Sequence, residues 1–477
     1  MLSDKLESLL ASFSKLELNQ FRKFLLSPFF NENQEIIKLF DVLQKALNAP
    51  HAKQSLDKKT AWKVLYGKTP YKDIQFRRLL SDLTKLAHQY LSHRTFQEDP
   101  FAPALRLLDS INTPSLQKHF TGTVRQLENL QKKSGLNNTD FHYNFFLLNY
   151  KSHLHLEKMG VKRKEFSTKN LENADYHLDC YYIINKLKHY CDALGYKNVL
   201  SKESSLKDFP NLTKFIEEND FLEEPSIKAH YLVTLMLLHP EEERYFKELK
   251  VFLQDHYQLF TREEGYVFFI HLKNYCIDIK INKGKSAYFF ELFDIYKLLI
   301  ESKIIFHQAT IHPQSYKNII SVGLHVKAFD WVEAFIQEYT DYLPKVNHED
   351  ALNYNLAKVY FYKKDFDRVL TQLGTVKDTS LIYALGRKLL LIKTYYEVSE
   401  ANALDSLIDS FRIYVQRNRL ISRDVKQPYL NVLRFVKKLL SIPTYDKEAI
   451  LKTKQQIVDC KAVASKRWLL EKVEEML

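Results

Sequence analysis

The chain has 477 residues, 45% of them apolar and 27% charged, with a formal net charge of +12 and 10 glycines. That length exceeds what one compact core usually supports, and the apolar share excludes a disordered chain. So few glycines argue against loops and dinucleotide turns in which backbone must approach a phosphate closely, and G-x-G-x-x-G, G-x-x-x-x-G-K-[ST] and G-x-S-x-G do not occur.

The opening stretch, MLSDKLESLLASF, carries charges where a signal peptide would place its apolar segment. Four scattered cysteines, Cys180, Cys191, Cys276 and Cys460, are too few for a disulfide framework, so a reducing cytoplasmic setting is expected. Residues 18–26 predict a short amphipathic helix that Pro28 ends. Asn31 and Gln34 have the spacing of a capping box for the next helix, with Phe29 and Phe30 folded onto Ile36, Ile37 or Phe40. A further helix runs from near Asp57 to Gly67, after which Thr69 caps a long helix with Pro70 in its first turn. On that helix Phe76, Leu79, Leu80, Leu83, Leu86, Ala87 and Tyr90 share one face, opposite Arg77, Arg78, Ser81, Lys85 and His88.

Beyond residue 100, helical periodicity continues between short connectors such as LEEPS, INKGK and HPQS, with no long linker and no low-complexity tract. The apolar stretch YLVTLMLLH at 231–239 is too short to cross a bilayer, and no membrane association is expected. Both ends of the chain are basic and residues 201–300 are acidic, which suits an acidic partner at either end and equally suits ordinary solvated surface.

An internal repeat follows. LHVKAFDWVEAFIQEY at 324–339 aligns with YFYKKDFDRVLTQLG at 360–374, so that Phe329-Asp330 falls on Phe366-Asp367, and a further unit covers 389–411. Leu356, Ala357 and Tyr360 on a first helix, and Phe366 and Val369 on a second, give NLAKVYFYKKDFDRVL at 355–370 the pattern of a tetratricopeptide repeat. The segment 310–415 resembles that family, although Val369 stands where the family has a small residue and the spacing varies. The whole chain also resembles a group of bacterial helical-repeat proteins that share the Ser-Pro-Phe-Phe-Asn start, which implies no function.

The expected fold is therefore all-α. An N-terminal helical bundle covers 1–96, an array of helix pairs 101–224, a tetratricopeptide-like α-solenoid 225–441, and C-terminal capping helices 442–477. The family resemblance implies a right-handed superhelix whose concave side binds a protein or peptide. In the family's register, Tyr354, Lys358, Phe361 and Tyr362 line that side, with Lys388 in the next unit.

Chemistry-bearing clusters are sparse. His153 and His155, two apart on a helix, point to different sides and do not share an ion readily. His177, Cys180, His189 and Cys191 have some metal-like character, but Cys180 and Cys191 fall on the apolar face with Tyr176, Ile183, Ile184 and Leu187 and read better as core cysteines. His348-Glu349-Asp350 lacks the second histidine of a zinc helix, and no local signature marks a nucleophile. Neither an enzyme nor a cofactor is expected. Arg423, Lys426, Arg434, Lys437 and Lys438 form a basic stripe opposite Val425, Tyr429, Val432, Leu433, Val436 and Leu440. With Arg77, Arg78 and Lys85 near the other end, it supports an alternative: a nucleic-acid-associated or regulatory protein using its basic helices. The many aromatic residues fall mostly at core spacing and read as packing rather than base stacking.

Overall fold

The structure, a computed structural model, describes residues 4–47, 58–134, 138–159, 168–200, 209–344, 348–376, 381–443 and 445–477. Among them are 23 α-helices and one hairpin of two-residue strands, Phe306–His307 and Thr310–Ile311. The chain divides into two compact units, Met1–Asn185 and Lys186–Leu477. No helix of the described residues is long and apolar enough to cross a membrane.

The first unit begins with α1 (Asp4–Ala11), α2 (Lys15–Leu26), α3 (Gln34–Leu47), α4 (Lys58–Tyr66) and α5 (Asp73–Glu98). These five share one apolar core running from Leu6 to Tyr90. Asp57, expected near a helix start, lies outside the described residues. A capping box starts α2: the Glu17 N–H donates to Ser14 Oγ at 3.2 Å and the Ser14 N–H to Glu17 Oε2 at 2.6 Å. All seven residues assigned to the inner face of α5, Phe76 to Tyr90, are buried.

Two capping assignments need correction. Asn33, not Asn31, caps α3, accepting from the Glu35 N–H at 2.9 Å. Asn31 instead turns back and donates to the Leu25 carbonyl at 2.9 Å, tying off the end of α2. Phe30 stacks on Phe24 at 4.1 Å, on the preceding helix, while Phe29 is 88% exposed. Likewise Thr69 does not cap α5, which starts at Asp73; its hydroxyl donates to the Tyr66 carbonyl and closes α4. Pro70 thus precedes the helix rather than sitting in its first turn. In each case a polar side chain found the nearer orphaned carbonyls of the helix behind it. After α5, the helices α6 (Ala102–Ser110), α7 (Gln117–Ser134) and α8 (Thr139–Lys158) enclose a second small core including Leu105, Leu108, Phe120, Leu127 and Leu148. Next comes α9 (Lys169–Leu200).

The second unit contains α10 (Phe209–Glu218), α11 (Pro225–Leu238), α12 (Glu243–His256), α13 (Arg262–Asn274), α14 (Tyr288–Glu301), α15 (Pro313–His325) and α16 (Phe329–Tyr339). It continues with α17 (His348–Tyr362), α18 (Phe366–Thr375), α19 (Leu381–Glu397), α20 (Ala401–Arg417), α21 (Arg423–Ser441), α22 (Lys447–Asp459) and α23 (Lys466–Met476). One apolar core runs from Cys191 to Val473. Each helix from α11 to α22 packs on its successor, and α11–α13, α15–α17, α17–α19 and α21–α23 also touch. First helices therefore lie side by side in the sets α11 and α13, α15, α17 and α19, and α21 and α23.

The pairs α15/α16, α17/α18 and α19/α20 are joined by one and the same turn. Lys327, Lys364 and Ser399 are left-handed, at φ 61°, 62° and 59°, each two residues before its second helix begins. One residue later, the N–H groups of Ala328, Asp365 and Glu400 donate back to the carbonyls of Gly323, Tyr360 and Tyr395 at 2.9, 2.9 and 3.0 Å. This six-to-one bond closes a helix terminus by satisfying a carbonyl the helix leaves orphaned. The sequence match of Phe329 with Phe366 thus falls on two helix starts.

Candidate functional site: the face of the first helices

Tyr354, Lys358, Phe361 and Tyr362 occupy successive positions along α17, beside α19. Tyr354 is half-buried, with its ring centroid 5.7 Å from that of Tyr383. Its hydroxyl lies over Gly386, where a Cβ would stand only 2.5 Å away, so glycine permits this close approach of α17 and α19. Phe361 is buried and Tyr362 is 50% exposed. Lys388 leans the other way, its ammonium 5.3 Å from the Tyr414 ring of α20, and does not join the row formed by the others.

That row is built from lysines. Lys317 on α15, Lys358 on α17 and Lys393 on α19 influence one another electrostatically in sequence. Lys317 stands over the Tyr383 ring at 5.7 Å. Lys393, 8% exposed, has Phe361, Trp468 and Tyr362 around its ammonium at 4.1, 5.5 and 5.9 Å. Aromatic faces stabilise a cation, which accounts for a lysine at such depth. Burial pulls the Lys358 ammonium down to about 8, with Lys317 adding repulsion. It pulls Lys393 to about 8 as well, followed by repulsion from Lys358, while Glu397 and Glu471 oppose the shift. Lys317 is lowered by burial alone.

The last helix lies over one end of this face. Glu397 on α19 accepts from Trp468 Nε1 and from Lys472 Nζ, both at 2.8 Å, and Arg467 donates to His325 Nδ1 on α15 at 2.8 Å. Burial lowers Lys472, but its hydrogen bonds to Glu397 and Glu475 outweigh that and hold it above its ordinary value. A cavity of about 200 Å³ remains here, lined by Tyr362, Lys393, Glu397, Trp468 and Glu471 among others.

The basic stripe of α21 is partly engaged. Lys437 pairs with Asp409 at 2.7 Å, Lys438 donates to Gln456 at 2.6 Å and Lys426 to the Gln416 carbonyl at 3.0 Å. Arg434 lies over Phe435, and Arg423 is exposed. The buried face of that helix is Val432, Leu433, Phe435, Val436 and Leu439; Val425 and Leu440 are exposed instead of facing the core. At the other end Arg77 pairs with Asp73 and Lys85 with Asp82, one turn away on their own helix.

His155 is buried, stacked on Phe120 and within 2.9 Å of Asn112 Oδ1, whereas His153 approaches Glu157. Cys180 and Cys191 are both buried, and burial pushes the Cys191 thiol up to about 11. Ile183, Ile184 and Leu187 are buried with them, but Tyr176 is exposed. Two arrangements had no signal in the sequence because their members are far apart in it. His142 and His177 bring their Nδ1 atoms to 3.0 Å, and burial, then His142, lowers His177 to about 4. Ser226 donates to Glu264 at 3.3 Å beside His230, and all three are closed to solvent. His239, Glu241 and Glu242 gather on the exposed turn after α11, where Glu242 pairs with Arg244 at 2.7 Å. Comparison of the chain with protein-family models, with curated proteins and with solved structures gave no match.

Proposed function

We propose that the chain is a non-enzymatic helical scaffold that binds an extended protein or peptide segment across the side-by-side first helices α15, α17 and α19, in the cytoplasm. The carrying observation is that three successive helix pairs share one turn, at Lys327, Lys364 and Ser399, and that their first helices pack against one another. That arrangement supports the tetratricopeptide-like, right-handed solenoid expected for 225–441, with α22 and α23 as its cap. Tyr354, Tyr362 and Tyr383 give the row rings that contact a chain at low cost in side-chain freedom. The nucleic-acid reading has less support, because several cations of the basic helices already hold partners within the fold.

A photo-crosslinking residue at Tyr362, compared with one at exposed Asp367 on α18, tests the reading in cells. A protein adduct from position 362 alone is expected. Equal labelling from both positions, or adducts with nucleic acid alone, would overturn it.

A further inference from the structure

Three lysines elsewhere in this unit are paired, whereas half-buried Lys273 has the rings of Tyr266 and Tyr296 and no ion pair among the described residues. Lys280 reaches Glu243 at 2.7 Å, Lys250 reaches Glu291 at 2.6 Å and Asp294 at 3.3 Å, and Lys472 reaches Glu397 at 2.8 Å. Lys317, Lys358 and Lys393 are also without an ion pair or hydrogen bond among the described residues, although all three are at least half removed from water, and they stand on adjacent packed helices. An ammonium held out of water without a counter-charge is costly to the fold. Three of them aligned on three adjacent helices set up a local field that attracts anions.

We propose that Lys317 and Lys358, the open part of the row Lys317–Lys358–Lys393, bind acidic side chains spaced three residues apart along an extended peptide. This rests on the scaffold reading and specifies its ligand. Packed helices stand about 8–10 Å apart, and a peptide in the extended polyproline II form rises about 3.1 Å per residue with three residues per turn, so every third side chain lies on one face at about that interval. The molecule already places carboxylates at one end of the row, where Glu397 and Glu471 act on Lys393 beneath α23. Lys317 and Lys358 receive none. With one cation per helix, set among tyrosine rings, the row matches a ligand of sparse charge better than a nucleic-acid backbone, whose phosphates follow one another at every residue.

The test uses the full chain and a fluorescent nine-residue peptide with glutamate at every third position among serines. Controls are the same peptide with glutamine, one with its glutamates at every second position, and oligouridylate. The glutamate peptide of matching spacing is expected to bind roughly tenfold or more tighter than either peptide control, and Lys317→Met with Lys358→Met to abolish that difference. Both variants are also expected to unfold at a temperature no lower than the parent chain, since each removes an uncompensated buried charge; this separates lost binding from lost folding. Equal binding of glutamate and glutamine peptides, or undiminished binding by the variants, overturns the acidic ligand while a protein adduct at position 362 still upholds the scaffold. Oligouridylate binding that outcompetes the glutamate peptide overturns the proposal in favour of nucleic acid.

Discussion

Replacing Gly323 with alanine sets two opposing effects against each other. Gly323 lies inside α15, where alanine favours the helix by about 1 kcal/mol over glycine. A Cβ there would run into Val332 Cγ2 on α16 and come within 3.2 Å of Phe293 Cε2 on α14. Val332 is fully buried and β-branched, so it has no alternative rotamer into which to withdraw. Overpacking of this kind costs about 1–3 kcal/mol, and with a stiff neighbour the upper half of that range applies. The net expectation is a loss of about 1–2 kcal/mol, read as a lower urea midpoint at unchanged slope. Val332→Ala opens the space, so the double variant should be more stable than the two single losses summed, with a coupling of about 1 kcal/mol. A Gly323→Ala chain more stable than the parent would show that α15 and α16 do not cross this closely.

Glu397→Ala removes two hydrogen bonds that hold α23 to α19. Lys472 retains Glu475, so the loss should be about 2–3 kcal/mol rather than that of an orphaned buried ion, and amides 466–476 should exchange faster than those of α21. Unchanged exchange would refute this anchor. For His177, the folded group titrates near 4 against an ordinary value near 6.5, so the unfolded chain binds the extra proton between those limits. The stability contribution is fully present above about 6.5 and is lost as pH falls toward 4. His177→Phe should flatten the pH dependence of unfolding of the first unit in that window, and a curve parallel to the parent's would count against it.

Elements whose residues are close in sequence were legible. The seven inner residues of α5 followed from helical spacing, and the Phe329–Phe366 match from a repeated turn. Errors arose where two local solutions competed. Asn31 and Asn33 both suit a helix start, and the deciding partner was the Leu25 carbonyl, which a spacing rule does not weigh. A run of π-helix at Tyr275–Lys280 likewise has no periodic signature distinct from an α-helix. Of the lysine row, the sequence singled out Lys358 alone, through the repeat register; Lys317 and Lys393 come near it only through packing of α15, α17 and α19. Nothing in a sequence tells a lysine with a carboxylate partner from one without. The fold-back of α23 onto Glu397 was hidden for the same reason, since the pair is 75 positions apart.

A row of charges selects a ligand by spacing only if its members cannot drift. Lys317, Lys358 and Lys393 ride on helices whose inner residues Ile319, Ile320, Val359 and Ile392 are fully buried in the continuous core. Sliding one helix by a single residue's rise, about 1.5 Å, would pull such side chains from their sockets, and each is worth about 1.5–3 kcal/mol of burial. An ion pair at a partly exposed site returns about 0–1 kcal/mol, too little to drive that movement. A peptide whose acids do not match the row must therefore forgo a contact, because the protein will not deform to make it. In the proposed site, charge would set the sign of the ligand and core packing its interval.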